Sequence, residues 1–212
     1  MLSLILIRHG QTDWNTEGRI QGRTDIPLNA AGRAQAQTLK DACGHLTAPS
    51  AMPYTVLSSP LLRALETARI ALGEAALIAT DERLMEIDYG SWGGVPGRIL
   101  EETQPEACQR WFGREDIHFC PHGGESWAAL EERIAAFHHA VVVPQITDAR
   151  TRLILFSHGA FISQYLNFLL NARGIFSTLN ASISEVVLHP GRPPRLHVFN
   201  YIAECLNNPF WV

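Results

Sequence analysis

The chain has 212 residues, 46% of them hydrophobic, which is enough for one sizeable core and lies at the upper edge of a single ordinary domain. A formal net charge of −4 provides no basic field of the kind that holds nucleic acid, and no block of like charge reads as a tail. The apolar run Met1 to Ile7 is too short for a signal peptide and no stretch approaches the roughly 20 apolar residues of a membrane span, so the expectation is a cytoplasmic protein without nucleic-acid or membrane partners.

Taken in chain order, Leu2 to Ile7 is a near-continuous aliphatic run with Gly10 just beyond, the pattern of a strand buried on both faces, and it predicts an α/β protein. After a polar, glycine-containing loop, Asn29 can cap a helix whose apolar side holds Leu39, Ala42, Cys43 and Leu46. Tyr54 to Leu57 reads as a second strand. Ser59-Pro60 then reads as an N-cap followed by a proline at the first helical position, with Leu61, Leu65, Ala68 and Leu72 on the buried stripe and Arg63 in the first turn.

From Asp88 to Glu125 the chain is rich in Gly, Pro and aromatics, with short helical pieces at Gly97 to Thr103 and Glu106 to Phe112. This is expected to be a cap-like insertion, at about 88–125, in a single domain spanning 1–212. Ser126 to Val143 reads as a long amphipathic helix with Trp127, Leu130, Ile134 and Phe137 on one side, and Arg152 to Phe156 as a third buried strand. Ser157-His158-Gly159 opens another helix, and Ala181 to Leu188 and Leu196 to Phe199 close the chain as strands separated by the turn at Pro190 to Pro194.

Three chemically distinctive clusters follow the buried strands: Arg8-His9-Gly10, Arg63, and His158. In open α/β sheets ligands bind outside the carboxyl ends of the strands, so three parallel strands would bring all three clusters to one edge. Two of them also begin helices, where unpaired N–H groups and the helix dipole favour an anion, whereas a first-turn arginine works against the dipole unless an anion sits there. Paired arginine donors suit the equatorial oxygens of a transferring phosphoryl group. One imidazole can attack phosphorus while the second steadies the developing charge. Glu86 is the carboxyl within reach to protonate the leaving alcohol and then to act as base on water.

Arg8-His9-Gly10-Gln11-Thr12 with Asn15, Arg19-Ile20-Gln21-Gly22 and Asp25-Ile26-Pro27-Leu28 resemble the first block of the histidine phosphatase superfamily, in its phosphoglycerate mutase-like branch. Ser58 to Ala68 is similar to the second block, Leu84-Met85-Glu86 through Gly90-Ser91-Trp92-Gly93-Gly94 to the third, and Phe156-Ser157-His158-Gly159 to the last. Arg-His-Gly alone recurs by chance, but four blocks in order do not. The resemblance implies a three-layer α/β/α sandwich on a mostly parallel sheet and a phosphatase acting on a small phosphorylated metabolite without a cofactor. It implies His9 as the phosphorylated residue, Arg8, Arg63 and His158 as holders of the phosphoryl group, and Glu86 as acid and base. Asn15 and Gln21 fall at positions that in this family line the phosphate pocket, Gly22 and Gly159 join them as candidate substrate-binding residues, and a homodimer is an expectation. Gly93 stands where many relatives carry glutamate, a departure expected to alter loop packing more than chemistry.

Several features have plainer readings. His158 alone would pass for a satisfied core histidine, and Glu86 for a solvated loop carboxylate. His138 and His139 diverge by about 100° on a helix, cannot chelate one metal together, and are expected at the surface. His118 and His122 flank Cys120 with zinc-like chemistry, but the commoner use of such an insertion is to shape the mouth of the site, with His122, Gly124, Glu125 and Ser126 as candidates to meet the substrate. Cys43, Cys108, Cys120 and Cys205 form no C-x-x-C pair and read as reduced thiols. Lys40 is the single lysine; arginine's planar fork suits phosphate, although genome composition produces the same bias. Two rival activities are a phosphoglycerate mutase, for which the insertion offers only Arg98, Arg110 and Arg114, and a non-catalytic phospholigand-binding module, against which His9 and Glu86 both stand.

Overall fold

The aliphatic run after Met1 forms Leu2–Arg8 (β1) at the heart of the sheet in the computed structural model, which describes residues 1–48, 52–174 and 176–203. One helical turn follows, Asp13–Thr16 (α1), closed by reciprocal bonds between Thr12 and Asn15. Asn29 caps Ala30–Thr47 (α2) as expected, its side chain accepting the Gly32 N–H at 2.8 Å. Then come Tyr54–Ser58 (β2), Leu62–Leu72 (α3) and Ala79–Thr80 (β3). The segment 88–125, expected as an insertion, carries Gly97–Thr103 (α4) and Pro105–Phe112 (α5). Trp127–Phe137 (α6), Thr151–Ser157 (β4), Gly159–Leu170 (α7), Ile183–Leu188 (β5) and Arg195–Tyr201 (β6) complete the order.

Two expectations are corrected. Ser59 is not the cap of α3: the helix starts three residues later, with Leu61 at the N-cap, because Asp25 reaches across to accept the Leu62 N–H at 2.7 Å. The long helix from Ser126 ends as α-helix at Phe137 and continues as a wider π turn, His138–Val142, and a 3₁₀ turn, Val143–Gln145.

Among the described residues six strands form one sheet in the order β3-β2-β4-β1-β5-β6. β1, β2, β3 and β4 pair in parallel, while β5 and β6 run antiparallel to their neighbours. Register brings Arg8 opposite Ser157 and Ser58 opposite Phe156, so β1, β2 and β4 end together. The period-2 geometry of a strand divides β1 between the two faces. Ile5 and Ile7 pack under α2 and α3, whereas Leu2, Leu4 and Leu6 join α6, α7 and the insertion around Trp92, Trp111 and Trp127. These β1 side chains are at most 1% exposed, and each burial is worth about 1.5–3 kcal/mol. The result is the three-layer sandwich, with its central strands gripped from both sides.

Candidate active site

The end of β1 is fixed by its neighbours. The His9 N–H donates to the Ser157 carbonyl at 3.0 Å, and the His9 carbonyl accepts from Ala181 at 3.1 Å and from the Asn180 amide at 3.1 Å. Thr67 accepts the Gly10 N–H at 3.0 Å and donates to the Arg63 carbonyl at 2.6 Å, tying this loop to α3. The His9 ring lies 2.7 Å, through Nδ1, from the Gly10 carbonyl. A carbonyl only accepts, so Nδ1 carries the proton and Nε2 keeps a lone pair.

Around it stand three cationic or imidazole groups anchored mainly to backbone. Arg63 is fully buried; its Nη2 donates to the Gly22 carbonyl at 2.7 Å and its Nη1 to the Thr24 carbonyl at 2.9 Å. Gly22 is required there: its φ is +53°, and a Cβ would come within 3.0 Å of the Tyr89 nitrogen. Arg8 donates through Nη1 to the Thr178 carbonyl and passes beside Gly159, where a Cβ would lie 3.3 Å from its guanidinium carbon. His158 Nε2 is 2.8 Å from the Ser59 hydroxyl, and its ring lies 5.2 Å from that of His9, centroid to centroid. Among the described residues the buried Arg8 Nε, Arg63 Nε and His158 Nδ1 have no hydrogen-bond partner. A tetrahedral anion at His9 Nε2 would give them one.

The electrostatics agree with the geometry. Burial, followed by the Arg63 and Arg8 charges, holds His9 well below its usual 6.5, although the Gly10 bond opposes the shift. Burial and then Arg63, His9, Arg8 and Arg133 hold His158 down in the same way. Arg63 itself is pulled down to about 10 by burial, against Glu86 and Asp25. Both imidazoles are therefore neutral near pH 7.

Glu86, 9% exposed, is close enough to the same cluster to act on the charges of Arg8 and Arg63. Its Oε1 accepts the N–H groups of Ile87 and Phe161, both at 3.0 Å, and its Oε2 accepts that of Ala160 at 3.1 Å. The carboxylate thus serves the start of α7, whose N-cap His158 makes no side-chain cap bond of its own. Ser157 Oγ donates to the Leu84 carbonyl at 2.7 Å, pinning the approach to Glu86 against the end of β4.

The remaining sequence candidates separate. Asn15 is half-buried; its carbonyl oxygen is engaged by Thr12 and by Asn180 at 3.3 Å, and this seats its side chain by the His9 loop. Gln21 has a buried Oε1 without a partner among the described residues. Gly22 acts through its carbonyl on Arg63. Glu125, at the end of the 88–125 segment, and Ser126 just beyond it serve structure: Glu125 pairs with Arg133, with Nη2 and Oε2 2.7 Å apart, and Ser126 caps α6 through the Ala129 N–H at 3.1 Å. His122 and His118 are exposed, and among the described residues no three His, Cys, Asp or Glu side chains group as metal ligands. His138 is a correction to the expected surface position. It is half-buried beneath Tyr165 and Phe168, bonded to the Tyr165 hydroxyl at 3.0 Å and pushed down to about 4 by burial and by His139.

Tyr89 lies within electrostatic reach of Glu86, Arg8 and Arg114, and its phenol is raised by burial and then by Glu86. Arg114 has φ +54°, lies 4.1 Å over the Trp127 ring and donates to Gln164 at 2.6 Å. Asn180, Thr67, Ser59 and Arg133 were not singled out from the sequence as functional. Ser59 and Thr67 fall inside the segment similar to the second family block, whereas Asn180 and Arg133 carry no sequence signal. Cys43, Cys108 and Cys120 are free thiols, and Cys205 lies outside the described residues. Among the described residues no helix is long and apolar enough to cross a membrane.

Fold and site together define an α/β enzyme of phosphomonoester chemistry, and known proteins agree. A family model described as the histidine phosphatase superfamily (branch 1) matches residues 4–201. Glucosyl-3-phosphoglycerate phosphatase of Mycobacterium tuberculosis is 38% identical over 167 residues, 76% of this chain and 71% of that protein. Phosphoglycerate mutase-like protein 4 of Arabidopsis thaliana is 32% identical over 212 residues, 98% of this chain and 88% of that one. The solved mycobacterial glucosyl-3-phosphoglycerate phosphatase in complex with VO3 superimposes with a TM-score of 0.72 at 31% identity, covering 93% of this chain and 98% of that one. The chain belongs to the histidine phosphatase superfamily, branch 1, as a phosphoric monoester hydrolase.

Proposed function

We propose that the enzyme hydrolyses small phosphomonoesters through a phosphohistidine on His9, with Glu86 as general acid and base. The observation that carries this reading is the set of unpartnered donors on Arg8, Arg63 and His158 around the free Nε2 of His9. In the first step the Nε2 lone pair forms a bond to phosphorus as the bond to the leaving oxygen breaks, and Glu86 gives that oxygen its proton. Oε2 is the oxygen for this task, since Oε1 is already shared by two N–H groups. In the second step the Glu86 carboxylate takes a proton from water while the water oxygen bonds to phosphorus, and the P–N bond breaks to return neutral His9. His158 steadies the equatorial charge through Nδ1 once the Ser59 hydroxyl donates to Nε2.

The substrate is read as a small phosphorylated metabolite whose alcohol side meets Tyr89 and Arg114. Hydrolysis is favoured over mutase chemistry because, of the insertion's three arginines, only Arg114 is assigned to the substrate: Arg110 is paired to Asp116 at 2.8 Å and Arg98 is exposed. A cytosolic location and the absence of a nucleic-acid partner belong to the same reading, supported by the free thiols and the net charge of −4. A homodimer is its assembly expectation, which sedimentation measures. The deciding assay is phosphate release from a panel of monoesters in excess chelator. Activity that survives chelation and vanishes in His9→Ala is expected; full activity in His9→Ala, or complete loss with chelator, would sink the mechanism. Conversion of 3-phosphoglycerate to 2-phosphoglycerate would restore the mutase reading.

A further inference from the structure

The segment that carries Glu86 belongs to no strand or α-helix, so its carbonyls must find partners outside a backbone ladder. Arg133 on α6 supplies them. Its Nη1 donates to the carbonyls of Arg83 and Met85, both at 2.8 Å, and its Nη2 reaches the Glu86 carbonyl at 3.5 Å. The other edge of the fork meets Glu125 in two bonds, Nε to Oε1 at 2.9 Å and Nη2 to Oε2 at 2.7 Å. Side-chain exposures of 13% and 11% place this pair largely out of water. Glu125 also grips the chain just past Glu86, accepting the Asp88 N–H at 3.3 Å and donating its own N–H to the Asp88 carbonyl at 2.8 Å. Arg23 adds a longer contact to the same carboxylate at 3.4 Å.

A guanidinium has five N–H donors, and these contacts use all of them, so Arg133 keeps nothing for a substrate. We propose that Arg133, oriented by Glu125, is a positioning residue that aims the Glu86 carboxyl at the leaving oxygen. The proposal rests on the reading of Glu86 as the acid. It makes the end of the insertion part of the proton-transfer apparatus: α7 holds the carboxylate, Arg133 holds its backbone, and Glu125 sets Arg133. Lysine keeps the charge but cannot span the carbonyls and two carboxylate oxygens at once.

A purely structural residue would slow all esters alike, whereas in the first step a misplaced acid matters only when the leaving oxygen needs a proton. The test compares kcat/KM, which reports the steps up to the phosphoenzyme and so leaves out the base role of Glu86 common to every ester, for 4-nitrophenyl phosphate, whose phenolate leaves without a proton, and for an alkyl phosphate such as glycerol phosphate. Arg133→Lys is expected to slow the alkyl ester about 10²-fold while the nitrophenyl ester stays within about threefold. Glu125→Gln, the milder variant in case Arg133→Lys does not fold, should show the same asymmetry at about tenfold. Equal losses on both esters in a variant with unchanged circular dichroism and melting, or full activity on both, would overturn the proposal. Glu86→Gln run in parallel separates the two failures. If it too slows both esters equally, Glu86 is not the acid and the positioning role falls with it; if it alone shows the asymmetry, only the role of Arg133 falls.

Discussion

The two ends of the site are held in different ways. At the sheet edge, His9, Arg63 and Arg8 are bonded to carbonyls of Gly10, Gly22, Thr24 and Thr178, so their places are fixed by the course of the chain. Arg114, assigned to the side of the leaving alcohol, depends on other side chains: it donates to Gln164, which donates to Glu131 at 2.6 Å, and it rests on Trp127. On the proposed reading, phosphoryl binding is thus built into a scaffold that cannot be altered without disturbing the fold. Arg114 can be exchanged as a single side chain, a difference that would let one fold serve many phosphomonoesters.

Substitution tests that division. His9→Ala should lower phosphate release at least about 10⁴-fold for every ester and abolish the acid-labile phosphoenzyme seen on rapid quenching. Residual turnover that varies with the leaving group would break the comparison. Arg63→Lys should cost about 10²–10³-fold in kcat, again uniformly, because an ammonium cannot serve two carbonyls and an oxyanion together. Arg114→Ala should behave oppositely, raising KM about tenfold for esters with polar or charged alcohols and leaving 4-nitrophenyl phosphate nearly unchanged. A uniform loss there would move Arg114 to the scaffold side.

The smallest effect sharpens the electrostatic half of the contrast. His9 and His158 are held below 6.5 in the folded protein, so as pH falls past that value the unfolded chain takes up protons that the native one refuses. Their contribution to stability is therefore complete above pH 6.5 and is lost progressively below it. His138, near 4, adds to the same loss between 6.5 and 4. The melting temperature should drop from pH 7.5 to 5.5, less so with saturating vanadate, whose negative charge favours the imidazolium. A flat profile would mean that the two imidazoles are not shielded as described.

What could be read from the sequence follows the same line. β1 and β4 were legible because strands buried on both faces are written as unbroken aliphatic runs, and α2 because Asn29 sits one residue ahead of its helix. The start of α3 was not legible: Ser59-Pro60 has the local signature of a cap, but the carboxylate that performs the task, on Asp25, comes from a loop 37 residues earlier. β3 has two residues, both exposed, and so carries no pattern at all. His138 was misplaced because the π turn after Phe137 breaks the helical spacing on which its surface position was argued. Of the candidate site, the residues that chemistry and order mark in the sequence, His9, Arg63, Glu86 and His158, are the ones the fold brings together. Asn180, Thr67 and Arg133 act through backbone carbonyls or amides, contacts that exist only once the chain is folded.

The unpartnered nitrogens of Arg8, Arg63 and His158 also bear on what happens after the reaction. Inorganic phosphate offers them the same oxygens as the ester did, without the alcohol to help pull it away. On the proposed chemistry, release of that product is expected to be the slow departure in the cycle, with accumulating phosphate inhibiting from the same cradle.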